Sequence, residues 1–189
     1  MPKDNPVDFD ALLVALAVEE GAAKAQVIAQ EKIVLSDEFY DICKSNACGQ
    51  FGRCHMCPPD VGDIHTLMAR VSDYPKALIY QTISPLEDSY DWEGMQAASK
   101  NHAMLSQRFR ARLDPMLKSG NLHLSCGGCG LCDECTKVDG LPCRFPEDAM
   151  ASMESYGVDV YKTTKDTNLK YINGPNTVTF FGLALFKEA

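Results

Sequence analysis

The chain has 189 residues, 46% of them hydrophobic and 23% charged, with a formal charge of −8 from 18 basic and 26 acidic residues. A chain this long buries roughly 70% of the surface its unfolded form exposes, so it needs no disulfide staples, and its composition is that of a folded protein. The acidic balance argues against nonspecific nucleic-acid binding, which needs basic surface to neutralise phosphates, and no apolar run approaches membrane-spanning length.

Asp8 or Asp10 caps a helix beginning near residue 9, with Phe9, Leu12, Leu13 and Leu16 on its core face and Gly21 at its end. The apolar run at 11–18 has acidic residues on both sides and only Lys3 upstream, which does not make a secretion signal. Residues 25–35 predict one or two short strands. From Lys44 to Gly62 the chain reads as loop. Asp63 caps a helix through about Val71, with Ile64, Leu67, Met68 and Val71 on one face. Residues 76–84 predict a buried strand, and 85–94 an acidic loop with the single Trp92. The longest predicted helix runs from about Glu93 to Lys118. Its apolar stripe is Met95, Ala98, His102, Leu105, Phe109, Leu113 and Met116, and Pro115 kinks or ends it. His102 on that stripe reads as a core residue, and Arg108, Arg110 and Arg112 as a solvated face. A short strand at 122–124 follows. Pro146-Glu147-Asp148 and 159–165 read as helical turns. Residues 169–172 and 177–185 flank Asn173-Gly174-Pro175-Asn176, a hairpin signal. Together these predict one α+β domain over 1–189: a mixed or antiparallel sheet packed with helices, carrying cysteine-rich loops at about 43–59 and 126–146.

Those loops hold all nine cysteines. An odd count fits a disulfide framework poorly, and in a reducing cytoplasm such cysteines read as metal ligands. Downstream, Cys126, Cys129, Cys132 and Cys135 recur at every third position among glycines, and Cys143 follows. No packing requirement asks for that spacing. Successive C-x2-C turns do point thiolates at one iron–sulfur cube. Upstream stand Cys43, Cys48, Cys54 and Cys57, the last followed by Pro58-Pro59. Four thiolates and five suggest two [4Fe-4S] clusters. The upstream group supplies one, and Cys129, Cys132, Cys135 and Cys143 supply the other, with Cys126 spare. Two alternatives stand: Cys126 replaces Cys143, or the groups exchange ligands, as two-cluster ferredoxin runs do. With both clusters the net charge becomes roughly −12.

Gly49, Gly52, Gly127, Gly128 and Gly130 are expected to supply positive-φ turns that aim backbone N–H groups at cluster sulfurs. His55, between Cys54 and Cys57, and Arg144, after Cys143, are candidates to hydrogen-bond a cluster from outside its ligands; ion pairing with Glu147 is the other role for Arg144. His65 and His123 carry no functional signal. Zinc is the rival metal, since C-x2-C is also zinc-knuckle spacing, although zinc sites usually present two separated pairs. No Walker loop, dinucleotide fingerprint or nucleophile elbow is present.

Two segments resemble the DUF2284 family of predicted metal-binding proteins. One is Cys48-Gly-Gln-Phe-Gly-Arg-Cys54 with Cys57-Pro-Pro. The other is Cys129-Gly-Leu-Cys132-Asp-Glu-Cys135 with Pro142-Cys143-Arg144-Phe145-Pro146 and Ser152-Met-Glu-Ser-Tyr-Gly-Val-Asp-Val160. The resemblance spans about residues 30–187. It implies metal or cluster ligands at Cys43, Cys48, Cys54, Cys57, Cys129, Cys132, Cys135 and Cys143, and leaves Cys126 outside the pattern. Within the Ser152–Asp159 segment, Glu154 and Tyr156 are candidates to line a pocket; a structural turn ended by Gly157 is the plainer role.

The leading functional expectation is a cytoplasmic iron–sulfur protein of an anaerobic setting that passes electrons to a partner redox enzyme, with no nucleic-acid or membrane partner. An iron–sulfur enzyme or enzyme subunit with a small substrate at one cluster is the alternative. A zinc-binding interaction module is the third reading.

Overall fold

The Asp8 carboxylate opens α1 (Phe9–Glu19) by accepting the N–H groups of Asp10 and Ala11, which lack partners inside the helix. This computed structural model describes residues 8–117 and 120–187; Lys3 and the expected helix end at Lys118 lie outside the described residues. After α1 come β1 (Lys24–Ala29), α2 (Glu38–Lys44), α3 (Ile64–Ser72), β2 (Lys76–Pro85), α4 (Trp92–Leu113), β3 (Asn121–Leu124), α5 (Val160–Thr164) and β4 (Thr177–Phe186).

The fold is α+β. Its four strands form one antiparallel sheet in the order β1-β2-β4-β3. Alternation along β2 and β4 divides the core between two faces. Leu78, Tyr80, Ala184 and Phe186 face α1 and α4 and meet Leu13, Leu16, Ala17, Leu105, Phe109 and Leu113. Ala77, Ile79, Leu183 and Leu185 point the other way, onto Leu67 and Val71 of α3 and onto Met153, Tyr156, Val158 and Val160. Gly182 is required where β4 crosses Tyr80: a Cβ there would stand 2.1 Å from the ring.

Several expectations need correction. Leu12 is 39% exposed, and Ala17 takes its place beside Leu13 and Leu16. The long helix ends at Leu113 and tightens into a 3-10 turn at Asp114–Met116, because Pro115 cannot supply the next backbone donor. Its arginines are not simply solvated. Arg108 and Arg112 pair with Glu20 and Glu19 of the α1 end, and Arg110 with Asp114. Residues 169–172 form no strand. Only Leu169 is buried there, Ile172 is 77% exposed, and the Asn173 amide ties the segment to the Lys170 carbonyl and Thr179 hydroxyl. Pro146-Glu147-Asp148 makes the single helical turn expected, closed by the Ala149 N–H on the Phe145 carbonyl at 2.9 Å, and goes no further.

A polar chain crosses the α4 face of the sheet. The Tyr80 hydroxyl lies 2.7 Å from Ser106 Oγ and 2.8 Å from His123 Nε2, and Ser106 Oγ lies 3.3 Å from Ser125 Oγ. Thr82 holds His102 Nδ1 at 2.9 Å. Burial depresses His102 to about 4. Burial, helped by the nearby positive Arg110, depresses His123 to about 3. Both rings are therefore neutral in the fold, whereas an unfolded histidine titrates near 6.5. Below that pH the unfolded chain binds more protons. Stability is thus complete above about pH 6.5 and falls by up to about 1.4 kcal/mol per pH unit for each histidine as pH drops toward the folded values. Urea unfolding between pH 7 and pH 4.5 should show this slope, and His102→Gln should make it shallower. An unchanged slope in that variant would mean that His102 is not held neutral.

Candidate metal centre

Both cysteine loops spring from stems stitched to one segment, residues 151–159. β3 stops at Leu124, and Ser125 bridges Ser152: the Ser125 N–H donates to the Ala151 carbonyl at 2.9 Å, and the Met153 N–H to the Ser125 carbonyl at 2.9 Å. The downstream loop begins at the next residue, Cys126. Leu35 bridges Val158, here antiparallel where the Ser125–Ser152 bridge is parallel. The Ser36 N–H donates to the Gly157 carbonyl and the Asp159 N–H to the Val34 carbonyl, each at 2.8 Å. α2 follows directly and carries Cys43 in its last turn. Between the two bridges the segment turns at Glu154–Tyr156 and reverses at Gly157, whose φ of +74° and lack of a Cβ are both needed. A Cβ would lie 2.8 Å from Met68 Cγ and 3.0 Å from the Ser36 carbonyl.

The two loops meet, and the cysteines line two adjoining hollows. One, of about 280 Å3, is lined by Cys54, Cys129, Cys132, Cys135 and Cys143, with His55, Phe145 and Ala149. The other, of about 250 Å3, is lined by Cys43, Cys48 and Cys57, with Ile42, Phe51 and Glu154. Gln50 and Gly128 border both. Cys126 lines neither; it sits beside Ser125 and Glu154. Cys54, expected with its upstream neighbours, thus opens toward the downstream group. Among the described residues no group of three or more His, Cys, Asp or Glu side chains is gathered to hold a single metal ion.

Electrostatics differ from thiol to thiol. Burial pushes Cys126 up to about 12, with the Glu154 charge adding, and raises Cys43, with Cys48 and Glu154 adding. Cys129 is raised chiefly by burial. Cys54 is the exception. Hydrogen bonding to the Cys57 thiol, and then to the amides of Cys129 and Met56 and the thiol of Cys135, outweighs its burial and brings it below the ordinary thiol range. Cys57 is correspondingly raised. Without metal most of these buried sulfurs hold their protons, so a metal that binds them displaces protons as it does so.

The loops are clamped to each other around the larger hollow. His55 Nε2 lies 2.9 Å from the Leu141 carbonyl, Lys137 pairs with Asp60, and Arg53 reaches Glu134 at 3.8 Å. His55 therefore ties the two loops together at the wall of the hollow. Arg144 points to the Glu134 carbonyl at 3.4 Å. Gly127 and Gly130 take the expected positive φ, at +65° and +70°; Gly128 does not, and instead lies against Gln50. Tyr156 is buried in the core and accepts from Arg70 Nη1 at 3.0 Å, while Glu154 faces the smaller hollow. The family description of a predicted metal-binding protein (DUF2284) matches residues 26–186. The chain belongs to that family. No curated protein and no solved structure matches this DUF2284 protein. No helix among the described residues is long and apolar enough to cross a membrane.

Sequence reading of this DUF2284 chain misses His123, which gives no local signal because its partner Tyr80 lies 43 residues away. Gly157→Ala tests the shared stem. It should destabilise the fold by about 2–4 kcal/mol from backbone strain and overpacking, and lower metal content per chain because both loops lose their footing. An unchanged urea midpoint with full metal loading would show that the segment does not hold the loops.

Proposed function

We propose that this DUF2284 protein carries two [4Fe-4S] clusters and passes electrons to a partner redox enzyme in the cytoplasm. The observation that carries this reading is the pair of thiol-lined hollows sharing Gln50 and Gly128 as a wall. The thiols that line each hollow are the donor type that such a cube takes. Metal-binding function is what the family description supports, and the iron–sulfur identity is the finer step proposed here. Each cluster would supply a one-electron redox centre. Around them the chain's own residues line the hollows with Ile42, Phe51 and Phe145 and hold the loops together through His55 and Lys137. Exposed Val138, Leu141 and Phe145 stand near the larger hollow with exposed Asp133 and Glu134, a rim suited to a partner with a basic, partly apolar docking face.

A second reading rests on Glu154. The smaller hollow is lined by three cysteines and this carboxyl, which burial holds above its ordinary value. A site with a non-thiolate position favours an enzyme or enzyme subunit that binds a small substrate there.

Anaerobically purified protein should be brown, with broad absorption near 400 nm bleached by dithionite, and should contain about eight irons and eight acid-labile sulfides per chain, four for each cube. Colourless protein with stoichiometric zinc would sink both readings. Full reduction without electron delivery to any redox protein would count against the relay and leave the enzyme.

A further inference from the structure

Resting on the two-cluster reading, we propose that the centres are built across the loops. Cys43, Cys48 and Cys57 hold one, and Cys54 crosses over to face Cys129, Cys132, Cys135 and Cys143 at the other. Position along the chain argues for grouping Cys54 with Cys57, three residues away. The turn between them keeps the two thiols in hydrogen-bond contact, yet each borders a different hollow. The Cys57 N–H donates to the Cys54 carbonyl at 3.0 Å, and the Gly52 N–H to the Pro58 carbonyl at 2.9 Å. This short closed turn forms part of the partition between the hollows. Cys54 borders the hollow on one side of it and Cys57 the hollow on the other, and the two residues are 3% and 7% exposed.

The neighbours of each sulfur divide in the same way. Beyond its own turn, Cys54 meets Cys129 and Cys135 of the downstream loop. Cys129 in turn senses Cys54 and Cys143. Besides Cys54, Cys57 senses Cys48 and Cys43 of the upstream loop. Cys126 lines neither hollow, and the division stands without it. Two consequences follow. The downstream loop contributes to a centre that also uses an upstream thiol, so His55 and Lys137 clamp loops that share a ligand shell. The backbone from Cys54 to Cys57 is also a covalent link between the two centres, the shortest that this chain offers.

The test reads metal and spectra, not turnover. A chain carrying Cys129→Ser, Cys132→Ser and Cys135→Ser, reconstituted with iron and sulfide, should keep one cluster. Adding Cys57→Ser should then abolish it, and adding Cys54→Ser should leave the iron content unchanged. The reciprocal chain, carrying Cys43→Ser and Cys48→Ser, should keep the other cluster. There Cys54→Ser should change the electron paramagnetic resonance signal of the reduced protein, and Cys57→Ser should not. Cys54→Ala repeats each arm should a buried serine disturb the turn. Loss of the first chain's cluster with Cys54→Ser overturns the division. So does a signal in the second chain that ignores Cys54, or a starting chain that binds no iron at all, which would mean one indivisible centre. A wild-type chain without iron is a different failure, that of the cluster reading itself.

Discussion

Everything that brings the cysteines together depends on two short β-bridges to one segment. Ser125–Ser152 fixes where the downstream loop leaves the sheet, and Leu35–Val158 fixes where the chain turns into α2. The segment between them is itself set into the core by Met153, Tyr156 and Val158, each 4% exposed or less. Two loops of glycine, proline and cysteine have little apolar surface with which to fix their own positions. They borrow position from this segment. That explains why Ser152–Asp159 needs small and specific residues: Ser152 and Ser155 meet at 3.0 Å, and Gly157 tolerates neither a Cβ nor another backbone angle.

The hollows combine a favourable and an unfavourable condition for thiolates. Burial keeps Cys43, Cys126 and Cys129 protonated, because a bare negative sulfur in such a place is poorly solvated. A bound cation reverses that balance, and the same burial then shields the metal–sulfur bonds from water. The site is therefore unfavourable for free thiolate and favourable for metal thiolate.

Elements with a local periodic or capping signal were legible in the sequence. Asp8 and Asp63 cap the helices expected of them, the α4 stripe buries Ala98, His102, Leu105, Phe109 and Leu113, and β2 and β4 occupy the sheet centre. What was not legible is what depends on distant pairing. A single-residue bridge such as Ser125–Ser152 has no periodicity to detect. The Tyr80–His123 contact joins residues on separate strands, and neither has a spacing that predicts it. The expected hairpin failed for a related reason. Asn173-Gly174-Pro175-Asn176 does turn the chain, but β4 takes β2 as its partner along its whole length, and residues 169–172 have only Leu169 to bury.

The cysteine loops show the same limit at finer scale. Spacing marks which residues are donors, because no packing rule places cysteine at every third position. It does not mark which side of a tight turn each donor faces. Cys54 and Cys57 share a C-x2-C step, which in isolation suggests a common metal. Here the glycine before the step and the prolines after it close the turn on itself, through the Gly52-to-Pro58 hydrogen bond, at the boundary between two hollows. A C-x2-C step that chelates must aim both sulfurs into one concavity. One that lies along a partition presents each sulfur to a different hollow, here with the two thiols still in contact. The choice is made by what packs on either side, and here that is the downstream loop, held in place by a bridge that joins Ser125 to Ser152, 27 residues on.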